Sequence, residues 1–215
     1  MKIVEALMLL VIIISLYSCG TAKMEYAKPA VTTSLENSMI VDKSKDEVWK
    51  TLIPALSKKF FVINNLDKES GIINVSYKGD PEKYVDCGRV TSTLNDMRGK
   101  IIYDFPAAKA YQEYALGAEN GQLLKVKRNM DLDGRMNIIV EEINPKKTKV
   151  TVNTKYVLVR KLIISDVQGR SNSNSETISF NTGQEGHFQG GMKGQTCRCN
   201  GELENEILSL LTNKP

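Results

Sequence analysis

The sequence predicts an α+β domain: an antiparallel sheet with one amino-terminal and one carboxy-terminal helix packed on one face. Three patterns point there. Apolar residues recur at helical spacing after Ser44, strict alternation runs from Thr148 to Ile164, and a second amphipathic segment follows Gly201. Each of the two helices has a single apolar face, so both need the same covering surface, which an antiparallel sheet supplies.

Ser44-Lys-Asp-Glu47 has the form of a capping box, with Ser44 at the N-cap and Glu47 at the third helical position. Trp49, Leu52, Ile53, Leu56 and Phe60 then form the apolar stripe, interrupted by Pro54, which removes a backbone hydrogen bond. Phe61 to Leu66 and Ile72 to Tyr77 read as a hairpin around Asp67-Lys-Glu-Ser-Gly71. Tyr84 to Gly88 opens another strand, and Ala107 to Leu116 reads as a helix starting after Pro106. Gly121 to Ile143 is strand-like with a break near Asp133-Gly134. After the turn at Asn144-Pro-Lys-Lys147, Val150, Val152, Thr154, Tyr156 and Leu158 alternate onto one face. Residues 166–175 and 183–195 read as long loops, the first of low complexity and the second rich in glycine, with a short strand from Thr177 to Phe180 between them. The last helix presents Leu203, Ile207, Leu210 and Leu211, with Glu202, Glu204 and Glu206 complementing its amino end.

Before the domain lies an unbroken apolar run from Ala6 to Ile14, within a stretch reaching Tyr17 and preceded by Lys2. It is too short for a membrane span and suits a secretory signal. Leu16-Tyr-Ser-Cys19 at its end resembles the lipobox of bacterial lipoproteins, which implies cleavage before Cys19 and acylation of its thiol. The division that follows is a signal peptide at 1–18, a lipidated tether at 19–39 and a single α+β domain at 40–215. Gly20, not aspartate, follows Cys19 and resembles an outer-membrane address. The expected location is the cell envelope, lipid-anchored at the outer membrane and facing the periplasm.

Removing residues 1–18 takes away Lys2 and Glu5 together, so the mature charge stays at the +4 of the whole chain. The basic residues are scattered in pairs and form no stripe for a phosphate backbone, so nucleic acid is not an expected partner. An oxidising compartment favours disulfides. With Cys19 acylated, Cys87, Cys197 and Cys199 remain, and a bridge from Cys87 to Cys197 is expected, with Cys199 as the alternative partner. Cys197 is preferred because Cys199 adjoins Asn200-Gly201, where the chain turns into the helix. Zinc would need His187 as a fourth ligand at a spacing that matches no familiar zinc fold, so no metal is expected.

The remaining motifs carry little chemistry. Asn129-Met-Asp131-Leu-Asp133-Gly134 follows the start of a calcium loop, but position twelve is Val140 instead of glutamate. Cys87 and His187 as nucleophile and base would need a free thiol and a third group to orient the ring. The glycines from Gly183 to Gly194 open onto strand-like residues and not onto a helix, so they are no phosphate cradle. Phe188 and Met192 stand out there as large apolar groups on a loop, suited to contact with a partner.

The order of elements resembles the helix-grip architecture. Val48-Trp49-Lys-Thr-Leu52, Phe61-Val62 and Gly71-Ile-Ile-Asn-Val75, together with the lipobox, resemble a domain of the BamC lipoprotein family. That resemblance covers about residues 40–80 and, in pattern, the final helix. It implies an accessory subunit of an envelope assembly machine. The function expected is therefore a non-enzymatic interaction module, without cofactor, contacting the membrane through its lipid and another envelope protein through its surface. The rival expectation is a carrier of an apolar ligand, in a cavity lined by Trp49, Leu52, Leu56 and the strand at 148–164. An envelope enzyme ranks last.

Overall fold

The computed structural model describes residues 21–30, 35–59, 61–96, 99–118, 122–190 and 194–212. Its spine is a hairpin of two long strands, β9 (Leu123–Asn144) and β10 (Lys147–Ser165), within a seven-stranded antiparallel sheet. The other members are β2 (Ser38–Val41), β3 (Val62–Asp67), β4 (Ile72–Gly79), β8 (Tyr111–Gly117) and β11 (Ser171–Asn181). Both long strands are divided along their outer edges. β4 and β8 share the free edge of β9, while β2 and β11 share that of β10. A second sheet joins β1 (Thr21–Ala27), β6 (Arg89–Asp96) and β7 (Gly99–Pro106). A third joins β5 (Val85–Asp86), β12 (Glu185–Phe188) and β13 (Gln195–Cys199). Helices α1 (Lys45–Ser57) and α2 (Glu202–Ser209) complete an α+β fold dominated by antiparallel strands.

The alternation expected of 148–164 sets the register. Along β9 from Val126 to Val140 and along β10 from Thr148 to Leu162, every even-numbered residue is buried, and the odd-numbered ones point outward. Val150 faces Val140, Val152 faces Ile138 and Leu158 faces Leu132 across the hairpin. A slip of one residue would turn this entire apolar row to solvent.

β9 is continuous through Asp133-Gly134, which corrects the expected break. Gly134 lies opposite Tyr156, and a Cβ there would come within 3.1 Å of Leu203 Cδ2. The glycine makes room for α2 and ends nothing. α2 buries Leu203, Ile207 and Leu208, and α1 buries Val48, Leu52 and Leu56. The capping box of α1 is present: Glu47 N donates to Ser44 Oγ, and Ser44 N donates to Glu47 Oε2 at 2.8 Å.

Four expectations are revised by the same cause, which is that strand edges recruit segments whose own propensity is weak. Ala107 to Leu116 is a turn followed by β8 and not a helix, because Tyr111 to Gly117 pairs along β9. The expected low-complexity loop at 166–175 is strand from residue 171 on. The turn at Asp166–Arg170 leads directly into β11, whose Ser and Asn residues pair with Lys161 to Ser165. The second expected loop, 183–195, contributes β12 and the start of β13. The expected tether also contributes structure, since Thr21 to Ala27 pairs with β6 and Ser38 to Val41 with β10.

Candidate functional site

Cys19, the signal segment and Met192 lie outside the described residues. Cys87 is bridged to Cys197, with Cα atoms 4.0 Å apart. Pairing of β13 with β5 (Cys199 with Val85, Arg198 with Asp86) carries Cys197 to that position. Cys199 is a free, buried thiol, and burial pushes its pKa up. With its sulfur in the bridge, Cys87 offers no nucleophile to His187, whose Nδ1 sits 3.1 Å from Thr196 Oγ1. Asn129, Asp131 and Asp133 lie at alternate positions of the continuous β9, roughly 7 Å apart at each step, which is too spread for one ion. No group of three potential metal ligands occurs among the described residues.

Phe188 is corrected from loop residue to core residue. It is only 1% exposed, lies on β12 and carries the Arg160 guanidinium 4.2 Å above its ring. The side chains expected to line a cavity under the first helix are packed instead. Leu52, Leu56 and Tyr156 have no exposed surface, and Tyr156 donates its hydroxyl proton to the buried Glu204 carboxylate at 2.7 Å.

A cavity does exist, at the other end of the hairpin and under the β1–β6–β7 sheet. It holds about 220 Å³ and is walled by apolar side chains, Met24, Val90, Leu116, Val126, Leu162 and Ile164 among them, together with Tyr114. Three polar groups face it: Arg128, Arg160 and Gln195, all 97–99% buried at 3%, 3% and 1% exposure. Arg160 donates through Nη2 to Glu176 at 2.8 Å and to the Gly190 carbonyl, and through Nη1 to Gln195 Oε1. Among the described residues, its Nε and the Gln195 Nε2 have no hydrogen-bond partner. Arg128 donates to the carbonyls of Ala107 and Lys109 and touches Met130 Sδ at 2.9 Å; among the described residues no carboxylate pairs with it. Burial pulls its pKa down to about 10, so it remains a cation at neutral pH. Burial likewise lowers that of Arg160, against the opposing pull of Glu176.

The cavity adjoins a groove of about 500 Å³ through the shared Tyr114. Leu94, Tyr103, Leu123, Leu124 and Val167 line this groove at the end of the molecule where β1 begins. There Leu94 is the register partner of Ala22, Gly117 packs on Ala22, and Gln122 donates to Gln168.

Sequence reasoning missed the two arginines, although a signal was present. In Val126-Lys-Arg128-Asn-Met130 and in Leu158-Val-Arg160-Lys-Leu162 a cation occupies an inward position of an apolar alternation. It missed β1 too, where Ala22, Met24 and Tyr26 alternate with Lys23 and Glu25. No protein-family model, no curated protein and no solved structure matches the chain.

Proposed function

We propose that this protein is a lipid-anchored component of a bacterial envelope whose single domain works without catalysis, as an interaction module held at the membrane surface. The observation that carries the reading is how close the anchor lies to the domain. Only Gly20 separates the lipobox Cys19 from β1, so the first paired residue is within about 7 Å of an acylated cysteine. The end of the domain where β1 starts exposes Ile101 (44%), Ile102 (55%) and Val167 (70%), apolar groups suited to the boundary of a lipid layer. The Cys87–Cys197 bridge is in keeping with an exported chain.

A helix-grip-like arrangement, as in BamC-type domains, is the finer fold reading. In its support, α1 contacts β9 and β10, α2 contacts β10, and the odd-numbered side chains of both strands face outward. With Phe188 in the core, protein contact falls to the free edge of the large sheet, β3, where Val62 and Leu66 are exposed. An unpaired edge offers backbone hydrogen bonds to a partner strand.

Cys19→Ala tests the anchoring: the full-length precursor should accumulate, and the wild-type protein should show added acyl mass and sediment with outer-membrane fractions. An intact mass without acyl chains, or a freely soluble mature protein, refutes the proposal. A photo-crosslinking residue at Val62 or Leu66 then reports whether an envelope protein lies against β3.

A further inference from the structure

We propose that the cavity between the β1–β6–β7 sheet and the β9–β10 hairpin is a binding site for a single-chain amphiphile with a carboxylate head, the chemistry of a free fatty acid. The cavity does not depend on the anchoring reading; it follows from the buried charges and the shape.

Buried polar groups are normally hydrogen-bonded, and a buried donor left unmade costs about 1–3 kcal/mol. Here two donors without a partner among the described residues, Arg160 Nε and Gln195 Nε2, belong to residues facing one apolar space. Arg128, Arg160 and Glu176 together leave one positive charge in excess, and the lining contributes no carboxylate. A monoanion neutralises that excess, and a carboxylate has lone pairs for both open donors as well as the flat fork that suits a guanidinium. The rest of the wall is apolar, so the remainder of the ligand must be hydrocarbon. At roughly 30 Å³ per water-sized group, 220 Å³ accommodates about seven such groups.

The direction of the chain follows from the strands. Arg128 and Arg160 mark the inner end; Leu162, Ile164 and Val126 lead outward to Leu124 and Ser165, where the groove begins. The head is therefore deep and the tail passes Tyr114 toward the groove, which opens beside Ala22 and the exposed Val167.

The test uses the full chain in membrane vesicles and dodecanoate carrying a terminal diazirine, with the matching dodecanol as the uncharged probe. Photolabelling by the acid should fall on peptides containing 114–124 and 162–167 and exceed labelling by the alcohol about tenfold. Gln195→Glu places a carboxylate where the ligand head would sit and is nearly isosteric; it should cut labelling by the acid about tenfold while the melting temperature holds. Arg128→Met carries the same expectation and serves if Gln195→Glu loses its fold. Equal labelling by acid and alcohol, labelling elsewhere in the chain, or labelling by the acid that survives in folded variants overturns the proposal and leaves the cavity to water.

Discussion

Under the helices, the inward face of β9 and β10 presents Ile138, Val140, Val150 and Val152, none more than 1% exposed. Beneath the small sheet, the same face of the same two strands presents Arg128 and Arg160 around a void. One alternation pattern thus yields two physical states. The helical half is a closed apolar core, which stabilises through burial. The other half keeps cations out of water, where replacing a buried ion pair as a whole with apolar groups is often neutral or stabilising. Stability and binding are thereby assigned to different stretches of one hairpin.

The disulfide stands between these halves, so its removal is the strongest way to break the contrast. Cys87→Ser with Cys197→Ser opens a loop spanning 110 residues and should cost about 4–5 kcal/mol in denaturant unfolding. Tyr26 ties β1 to this junction, donating to the Cys87 carbonyl at 3.0 Å and accepting from Thr196 N at 2.9 Å. Hydrogen exchange should therefore accelerate in 21–27 and 89–106 before it does in 138–152. Uniform acceleration would mean that the halves do not open separately.

Truncations compare the two packings directly. Leu52→Ala, at a site with no exposure, should cost about 2–5 kcal/mol, whereas Leu162→Ala, already beside a void, should fall at or below the low end of that range. Equal shifts in denaturant midpoint would contradict the contrast. Ser44→Ala removes the cap of α1 and should cost about 1 kcal/mol, seen as a small drop in melting temperature.

The smallest expected effect falls on Arg128, a cation as buried as Arg160. Arg128→Met loses hydrogen bonds to two carbonyls and also removes a charge that no carboxylate among the described residues pairs with, so stability should stay within about 1 kcal/mol of wild type. A loss of several kcal/mol would make Arg128 a structural strut for the Ala107–Lys109 turn.

Much of the frame was legible in the residues. The capping box and the stripe through Leu52 and Leu56 placed α1, the alternation from Val150 to Leu158 placed β10 and its inward face, and the hairpin around Gly71 was readable from β-branched runs about a turn. These signals are local: a cap, a helical repeat and a period of two each act within a few residues. Cysteine count and chain direction at Asn200-Gly201 pointed to the Cys87–Cys197 pair for the same reason. Tertiary structure alone decided the rest, wherever a segment's conformation depends on a distant edge. Ser171 to Ser175 is extended because β10 runs past its neighbours and offers unpaired backbone. Tyr111 to Gly117 is a strand because β9 does the same, and Phe188 is buried because Arg160 lies over it. The cavity belongs to this second class. The sequence placed two arginines among apolar residues, but only the stacking of one sheet on another could leave Gln195 and Arg160 with open donors around an empty space, since a void is a property of how surfaces meet and not of any one segment.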